Sequence, residues 1–355
     1  MGQDLFVVAA VVIAFGLVSG RLAGTWITPP MVYVTAGMVL GSAGLGVVDL
    51  GLEQEGVRLL AEATLVVVLF SDASRIDLRV LRTEYLLPVR LLGLGLPLTI
   101  AAGGGVALLL FDGLEPAEAF LLGAILAPTD AALGQVVVTS PAVPVRIRQA
   151  LNVESGLNDG IALPVVTVLV AVAAAEEELE SASFWVEFAA RQIGFGVLAG
   201  VAVGAAGAWL LEKAIGRGWV DGVFRQLATL AVGVAAFGGA EMLEGNGFIA
   251  AFVAGLAMGT IARGPCEHIV DFSEDEGQLL ALLTFFVFGA TIAGPALDEL
   301  TWSIVAYAGL SLTVVRMVPV LLSLIGAHVR PVTVAFLGWF GPRGLASIVF
   351  GLLVL

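Results

Sequence analysis

Residues 154–159 read Glu154-Ser155-Gly156-Leu157-Asn158-Asp159. This stretch places two carboxylates and an amide near the middle of an apolar run, residues 146–175. About 20 apolar residues in a helix are enough to cross the hydrocarbon core of a bilayer. A charge at that depth costs at least about 2.5 kcal/mol on insertion scales, so charged residues there mark functional sites by default. The stretch therefore predicts a membrane helix with a functional polar face.

The composition of the whole chain indicates a membrane protein as well. Hydrophobic residues make up 59% of the 355 residues, charged residues 13%, and the mean hydropathy is +1.03. A soluble domain is about half apolar and a quarter charged, so a water-soluble core is excluded. The net charge of −14 argues against a nucleic-acid partner. Two histidines and one cysteine exclude an intrachain disulfide and a thiolate or polyhistidine metal site.

Twelve apolar runs along the chain predict twelve membrane spans, numbered from the N-terminus. The first run is retained as a helix because it lacks the basic segment that precedes the apolar part of a cleaved leader. Residues 1–355 are therefore predicted to form a single all-α polytopic membrane domain that is surrounded by lipid. The predicted spans are 4–20, 28–48, 57–74, 85–111, 116–139, 146–175, 184–213, 223–243, 246–262, 278–296, 301–326 and 331–355.

The distribution of Lys and Arg predicts how the chain is oriented. When residues near the span ends are counted with the adjoining loops, eleven of the sixteen follow odd-numbered spans, two follow even-numbered spans, and Arg90, Arg316 and Arg343 lie deeper within spans. Because Lys and Arg accumulate in cytoplasmic loops, the odd-numbered loops are predicted to be cytoplasmic. We therefore expect a multi-pass protein of the plasma membrane with its N-terminus outside.

The two halves of the chain resemble each other in register. Spans one to six start outside, whereas spans eight to thirteen would start inside, which is the inverted repeat of many secondary transporters. The first repeat is residues 1–175, residues 184–213 are a linking helix, and residues 223–355 are the second repeat. Because span twelve is still apolar at Leu355, we expect a thirteenth helix after it. The matched features are 65–70 with 285–288, Pro97 with Pro319, and 127–130 with 341–344.

Span six carries two neighbouring polar stripes. Glu154 and Asn158 are four residues apart and share one face, and Ser155 and Asp159 share the next. Hard cations prefer oxygen ligands, which the Ser155–Asp159 stripe supplies. Glu154 requires a cationic partner, for which Arg316 in span eleven is the best candidate, and Asn158 could then donate to Glu154.

Two further spans are predicted to be broken at matching positions of the repeat. Pro128 in span five and Pro342 in span twelve each remove a backbone donor and disrupt one helical turn. Broken helices in corresponding positions are a sequence indicator of a binding site at the membrane midplane. Asp130 can offset the positive N-terminal ends of the half-helices and Arg343 the negative C-terminal ends. Thr129 and its neighbouring carbonyls can supply further ligands.

Structural roles remain open for several of these residues. Asp72, at the cytoplasmic end of span three, is either a ligand or an interfacial charge before a basic loop. Asp130 and Arg343 can serve the helix ends alone, and the ion pair between spans six and eleven can be a structural brace. Asp159 has no predicted cation left to pair with, so it is the predicted carrier of the transported ion.

These motifs resemble, in order and over the whole chain, those of the monovalent cation:proton antiporter-1 family, the NhaP-type sodium/proton exchangers. Residues 154–160 resemble the E-S-x-x-N-D-G signature, and Arg316 matches the arginine of the eleventh helix. Residues 341–344 resemble the G-x-R-G motif. Residues 128–131 resemble the T-D-P unwound helix with Ala131 in place of proline, and residues 69–72 match the L-F-x-acidic motif with Asp in place of Glu.

The resemblance implies an NhaA/NhaP-like antiporter fold with inverted six-helix repeats, two unwound crossing helices and thirteen helices, of which about twelve are present. It implies a homodimer and an elevator-like movement of a six-helix core. Asp159 would bind proton and cation in turn. The expected cation ligands are Asp159, Ser155, Thr129, Asp72 and Asp130. The expected structural residues are Glu154, Asn158, Arg316 and Arg343.

The main functional hypothesis is antiport of Na⁺, or Li⁺, against H⁺ without a cofactor. Asn158 occupies the position where some exchangers have a second Asp, and an uncharged residue there favours electroneutral exchange. A K⁺/H⁺ antiporter on the same fold is the alternative, since one sequence does not distinguish the two cations. An intramembrane enzyme is disfavoured because the chain has no H-E-x-x-H or G-x-S-x-G motif. An ion channel would differ by carrying an uncoupled current.

Overall fold

The computed structural model describes most of the chain, and within that part all regular structure is helical, which confirms the predicted all-α class. Only the backbone is described for residues 182 and 267–276. The second half of predicted span five, residues 131–139, lies outside the description, as does the departure from the family motif at Ala131. The described residues are 2–22, 25–48, 55–76, 85–130, 140, 142–175, 182–261 and 267–354.

The described helices follow the predicted spans in order. Spans one to six contain Gly2–Leu22, Pro29–Leu40, Glu55–Ser74, Leu86–Leu110, Pro116–Ile125 and Val145–Ala174. Spans seven to ten correspond to Ala182–Gly216, Gly222–Glu241, Gly247–Ile261 and Glu267–Phe288, and the last helix begins 11 residues before its predicted start. Span eleven consists of Trp302–Leu312 and Val314–Ser323, and span twelve of Pro331–Trp339 and Leu345–Val354.

Seven of the described helices are long and apolar enough, by length and composition alone, to cross a membrane. Four shorter apolar helices belong to spans two, five, nine and twelve. Span three is long enough, but it carries four charged residues along Glu55–Ser74. The short helices of spans five and twelve are shortened by the breaks at Pro128 and Pro342, as predicted.

Span two ends earlier than predicted. The sequence predicted a helix over 28–48, but the helix stops at Leu40, and the amides of Val47 and Val48 both donate back to the Leu40 carbonyl. The turn contains three glycines, and Gly46 adopts a left-handed φ of 63°. Glycine reaches that conformation without steric penalty. The apolar residues between the glycines hid this turn from a hydropathy window.

Three predicted spans contain local irregularities, among them span ten, whose helix continues as a π-helical turn over Gly289–Ala293. Span four has a π-helical turn over Leu91–Gly95 immediately before Pro97, which cannot donate to the carbonyl of the preceding turn. Span eleven, predicted as one helix, breaks at Thr313, where φ is −116° and ψ is −91°. The Thr313 hydroxyl donates to the Gly309 carbonyl at 2.6 Å, and such back-bonding bends helices.

Span two packs on span ten through two glycines one helical turn apart. A methyl group added at Gly37 would overlap the carbonyl oxygen of Phe286, and one at Gly41 would lie 2.8 Å from the Cα of Ala290. Small residues at this spacing allow two helix backbones to approach closely within a membrane. Larger side chains at either position would force the two spans apart.

Span nine packs on span three in the same way. Methyl groups added at Gly255 and Gly259 would overlap the carbonyl oxygens of Phe70 and Ser74, respectively. Spans two and nine, and spans three and ten, are the pairs that the inverted repeat predicts to be equivalent. Both halves of the fold therefore use the same contact between small residues and a facing backbone.

Candidate functional site

The two broken helices meet where their backbones are unwound. The first half of span five, Pro116–Ile125, is followed by non-helical backbone through Asp130, and residues 340–344 separate the two halves of span twelve. The Asp130 amide donates to the Pro342 carbonyl at 2.9 Å, which links the two unwound stretches directly. This contact satisfies one backbone donor and one acceptor that the broken helices leave exposed at membrane depth.

Asp130 lies at the start of the second half of span twelve. A methyl group added at Gly344, the residue before Leu345–Val354, would overlap the Asp130 side chain. The carboxylate is therefore close to the positive end of that half-helix, as the sequence predicted. Only glycine at position 344 permits this approach.

Arg343 lies at the C-terminal end of a half-helix, where the helix dipole is negative. Its guanidinium donates to the Ala127 carbonyl at 3.4 Å, just beyond the C-terminal end of Pro116–Ile125. It also donates to the carbonyl of Ser311 at 2.9 Å and to the Ser311 hydroxyl at 3.4 Å. The first contact agrees with the predicted role of Arg343, whereas Ser311 was not singled out from the sequence.

The predicted ion pair between spans six and eleven is confirmed. Nη2 of Arg316 lies 2.5 Å from Oε1 of Glu154, and both side chains are only 3% exposed. Oε2 of Glu154 and Nε of Arg316 are buried and have no hydrogen-bond partner in the structure. A charge pair so deeply buried joins the two spans firmly, because separation would leave either charge unpaired in an apolar environment.

Asn158 does not donate to Glu154, so that prediction is wrong. Its amide donates instead to the Thr129 carbonyl at 2.8 Å and to the Thr129 hydroxyl at 3.0 Å. Unwinding of span five frees the Thr129 carbonyl from its helix, which makes it an available acceptor for the neighbouring span. Asn158 therefore fixes the unwound stretch of span five against span six.

The carboxylates of Asp72, Asp130 and Asp159, which belong to three different spans, lie close together. Those of Asp130 and Asp72 are close enough for their charges to repel that of Asp159, and all three side chains are partly buried. Ser155 lies one helical turn before Asp159, on the same face of Val145–Ala174. Within the described part of the chain, no three His, Cys, Asp or Glu side chains close around a common metal position. We call the group of Asp72, Asp130 and Asp159 the acidic surface, because three carboxylates in one place favour a positively charged partner.

The face of span six that carries this acidic surface packs on spans three and nine through glycines. A methyl group added at Gly160 would lie 2.7 Å from the ring of Phe252, and one at Gly156 would lie 3.7 Å from Ile76. Phe252 and Ile76 were not identified from the sequence, since apolar residues carry no signal before the helices are packed. The glycine pair at four-residue spacing in span six was the available signal.

Replacement of Gly160 by Ala is expected to destabilise the protein by about 1–3 kcal/mol, because the added methyl group overpacks the contact with Phe252. The thermal unfolding midpoint of the purified protein measures this effect. A matched control is Gly105→Ala in span four, where an added methyl group would meet nothing within 4 Å. The double variant Gly160→Ala/Phe252→Ala should recover part of the loss; equal midpoints for Gly160→Ala and the control would refute the contact.

The fold and the site together define a class of protein, a helical membrane protein in which two unwound helices meet beside a group of carboxylates. The chain matches the sodium/hydrogen exchanger family, in its transmembrane region, over residues 6–355. It belongs to that family and is a multi-pass membrane protein. The expectation drawn from the sequence motifs is thereby confirmed at the level of the family.

Relatives of known name show how far the similarity extends. The K(+)/H(+) antiporter NhaP of Alkalimonas amylolytica is 27% identical over 95% of this chain and 57% of its own length. The Na(+)/H(+) antiporter ApNhaP of Aphanothece halophytica is 26% identical over 89% of this chain and 62% of its own length. The chain thus spans little more than half the length of these curated relatives.

A solved structure supports the fold. The sodium proton antiporter MjNhaP1 from Methanocaldococcus jannaschii, determined at pH 8, superposes with a TM-score of 0.78. The similarity covers 99% of this chain and 86% of that structure, at 21% sequence identity. The NhaP-like antiporter fold is therefore shared, including the inverted repeats and the crossing of two unwound helices.

Proposed function

We propose that the chain exchanges a monovalent cation for protons across the membrane and that Asp159 binds the two in competition. The observation that carries the proposal is the position of Asp159 beside the unwound helices, within electrostatic range of Asp130 and Asp72. Among the described residues, no Lys or Arg forms an ion pair with Asp159. Either a proton or a cation neutralises the charge of the Asp159 carboxylate in this environment, so the two compete for the same group.

Coupling follows from the charge of the site in its empty form. An ionised Asp159 without a cation is costly to move through the apolar centre of the membrane, whereas the proton-loaded and cation-loaded forms are less costly. If only the loaded forms change their exposure from one side to the other, cation movement in one direction requires proton movement in the other. Ser155, Thr129, Asp72 and Asp130 supply the oxygens expected to surround the cation. No cofactor takes part.

We propose Na⁺, or Li⁺, as the transported cation, and K⁺ is the alternative. Both possibilities have support, since the relatives named above include a K(+)/H(+) antiporter and a Na(+)/H(+) antiporter. Selectivity between alkali cations depends on the number and spacing of the oxygen ligands. Purified protein in liposomes, titrated with each chloride salt against a pH-sensitive dye, would identify the cation that drives proton movement at the lowest concentration.

Electroneutral exchange is part of the proposal and rests on the uncharged Asn158. Asn158→Asp adds a negative charge at this buried position, which is only 2% exposed, and removes the hydrogen bond donated to Thr129. We expect wild-type exchange to be insensitive to an imposed potassium-diffusion potential and the exchange that remains in this variant to depend on it. Asn158→Ala, which removes the hydrogen bond without adding charge, is the control. A voltage-dependent wild-type rate would contradict electroneutrality.

The setting of the exchanger is proposed from its charge pattern and its family resemblance. We place it in the plasma membrane as a homodimer with the N-terminus outside. Seven long apolar helices and the excess of Lys and Arg after odd-numbered spans support this orientation. Labelling of a cysteine introduced at the exposed Trp302, at the predicted outer end of span eleven, by an impermeant maleimide on intact cells would test it.

A further inference from the structure

Hydroxyl side chains on the described helices share a hydrogen-bonding pattern. Most of them donate to the carbonyl three or four residues back in their own helix, which satisfies the hydroxyl in an apolar environment. Examples are Thr35, Thr64, Ser74, Thr99, Thr229, Thr284, Thr291 and Ser323.

Ser347 in the second half of span twelve does not follow this hydrogen-bonding pattern. It is 7% exposed, yet its Oγ has no hydrogen-bond partner in the structure. The cause is its position as the third residue of Leu345–Val354. The residue four positions back is Arg343, which lies in the unwound stretch rather than in a preceding helical turn. Ser347 therefore keeps a hydrogen-bond donor and two acceptor lone pairs for another group.

The surroundings of Ser347 point to the acidic surface. Gly344, three residues earlier, faces the Asp130 side chain closely enough that a methyl group there would overlap it. Residues three apart on a helix share a face, and helical side chains lean back toward the N-terminus. The Ser347 side chain is thereby directed toward the turn that contacts Asp130. Asp130 is in turn within electrostatic range of Asp159.

The packing of the half-helix agrees with this placement. Leu345–Val354 contacts span three, which carries Asp72, and span six, which carries Asp159. It also contacts the first half of span five. The unpaired hydroxyl is thus on a helix that contacts all three spans that supply the carboxylates, as well as span ten.

We propose that Oγ of Ser347 is a further ligand of the transported cation, adding one neutral oxygen to the carboxylates of Asp130 and Asp159. The proposal rests on the proposed antiport function and adds to its site a residue from span twelve. A hydroxyl oxygen is a suitable ligand for a partly dehydrated alkali cation, and the number of such ligands sets which cation fits. Ser347 is therefore a determinant of cation affinity and selectivity, whereas Asp159 determines coupling.

The test is Ser347→Ala in purified protein reconstituted in liposomes, with half-saturating concentrations of Na⁺, K⁺ and Li⁺ measured for proton exchange. Loss of one ligand is expected to raise the half-saturating concentration of the preferred cation about fivefold, the equivalent of one ordinary hydrogen bond. The maximal rate should stay within about twofold, since the carboxylates that couple the fluxes are intact. Stabilisation of the detergent-purified protein by the same cation, followed as a thermal shift, should weaken in parallel.

Ser323→Ala is the matched control. Ser323 is equally buried, but its hydroxyl already donates to the Val320 carbonyl at 2.9 Å within its own helix. This variant should keep wild-type cation affinities, and Ser347→Thr, which retains a hydroxyl, should keep them nearly. If Ser347→Ala does not fold, Ser347→Cys preserves the volume without a hard oxygen ligand and should show the same fivefold weakening.

Failure of the ligand role and failure of the proposed function give different results. Unchanged half-saturating concentrations and thermal shifts in Ser347→Ala, or in Ser347→Cys, would overturn the ligand role while leaving antiport intact. Wild-type protein that moves no protons in response to any alkali cation would refute the proposed function itself. A loss in Ser323→Ala equal to that in Ser347→Ala would assign the effect to general packing and would also overturn the ligand role.

Discussion

Asp159→Asn is expected to abolish cation-dependent proton movement while leaving the protein folded. The amide has nearly the shape of the carboxylate, but it neither binds a proton in this pH range nor carries the charge that attracts a cation. Because the account assigns both substrates to this one group, both fluxes should fall together. We expect a loss of at least about a hundredfold, which corresponds to about 2.7 kcal/mol. Dye-monitored pH change in liposomes measures it.

Two controls make the Asp159 result specific. Glu62→Gln makes the same chemical change at a carboxylate that is paired with Arg58 at 2.8 Å near the start of span three. That variant should exchange at the wild-type rate. The thermal midpoint of Asp159→Asn without cations should equal or exceed that of the wild type, since a repulsive charge near Asp130 and Asp72 is removed. Substantial exchange by Asp159→Asn would disprove the assignment of the carrier residue.

Arg316→Met is expected to produce the largest loss of stability. The variant leaves the Glu154 carboxylate, 3% exposed, without the only cation that contacts it among the described residues. Breaking a buried ion pair by removing one partner costs about 3–5 kcal/mol. Thermal unfolding in detergent should show a sharply lower midpoint, and the folded yield should fall with it.

A double variant separates the effect of one unpaired buried charge from the effect of losing the ion pair. Glu154→Gln/Arg316→Met removes both charges and should recover most of the stability, because replacing both members of a buried pair is often nearly neutral. Arg191→Met is the matched control, since its ion pair with Glu244 is exposed and should contribute no more than about 1 kcal/mol. An Arg316→Met variant as stable as Arg191→Met would show that the buried pair does not join spans six and eleven firmly.

Much of this site was predictable because it depends on rare residues. Few charges lie within the apolar spans, so Glu154 had few possible partners, of which Arg316 was the best candidate, and the structure confirms that pair. Pro128 and Pro342 broke the helices where a missing backbone donor requires it. A buried charge or a missing backbone hydrogen bond is costly within a membrane. These residues therefore indicated a special role before the packing of the helices was known.

The remainder depended on distances that no sequence pattern contains. Asn158 was predicted to donate to Glu154, whereas its actual acceptor, Thr129, lies on non-helical backbone that the structure brings next to span six. Phe252 and Ser311 are residue types that are common in membrane helices. Their roles became evident only when the structure placed a glycine against Phe252 and an arginine against Ser311. The end of span two at Leu40 was hidden because the following turn is as apolar as a helix.

The most direct test of the account is counterflow in liposomes that contain purified protein and an acidic interior. An outward proton gradient should drive uptake of radioactive Na⁺, or of Rb⁺ as a substitute for K⁺, in the absence of any membrane potential. If one carboxylate exchanges the two ions, uptake collapses when the proton gradient is dissipated and is absent in Asp159→Asn. Cation uptake that persists without a proton gradient, or that survives in Asp159→Asn, would show that Asp159 does not exchange the two ions.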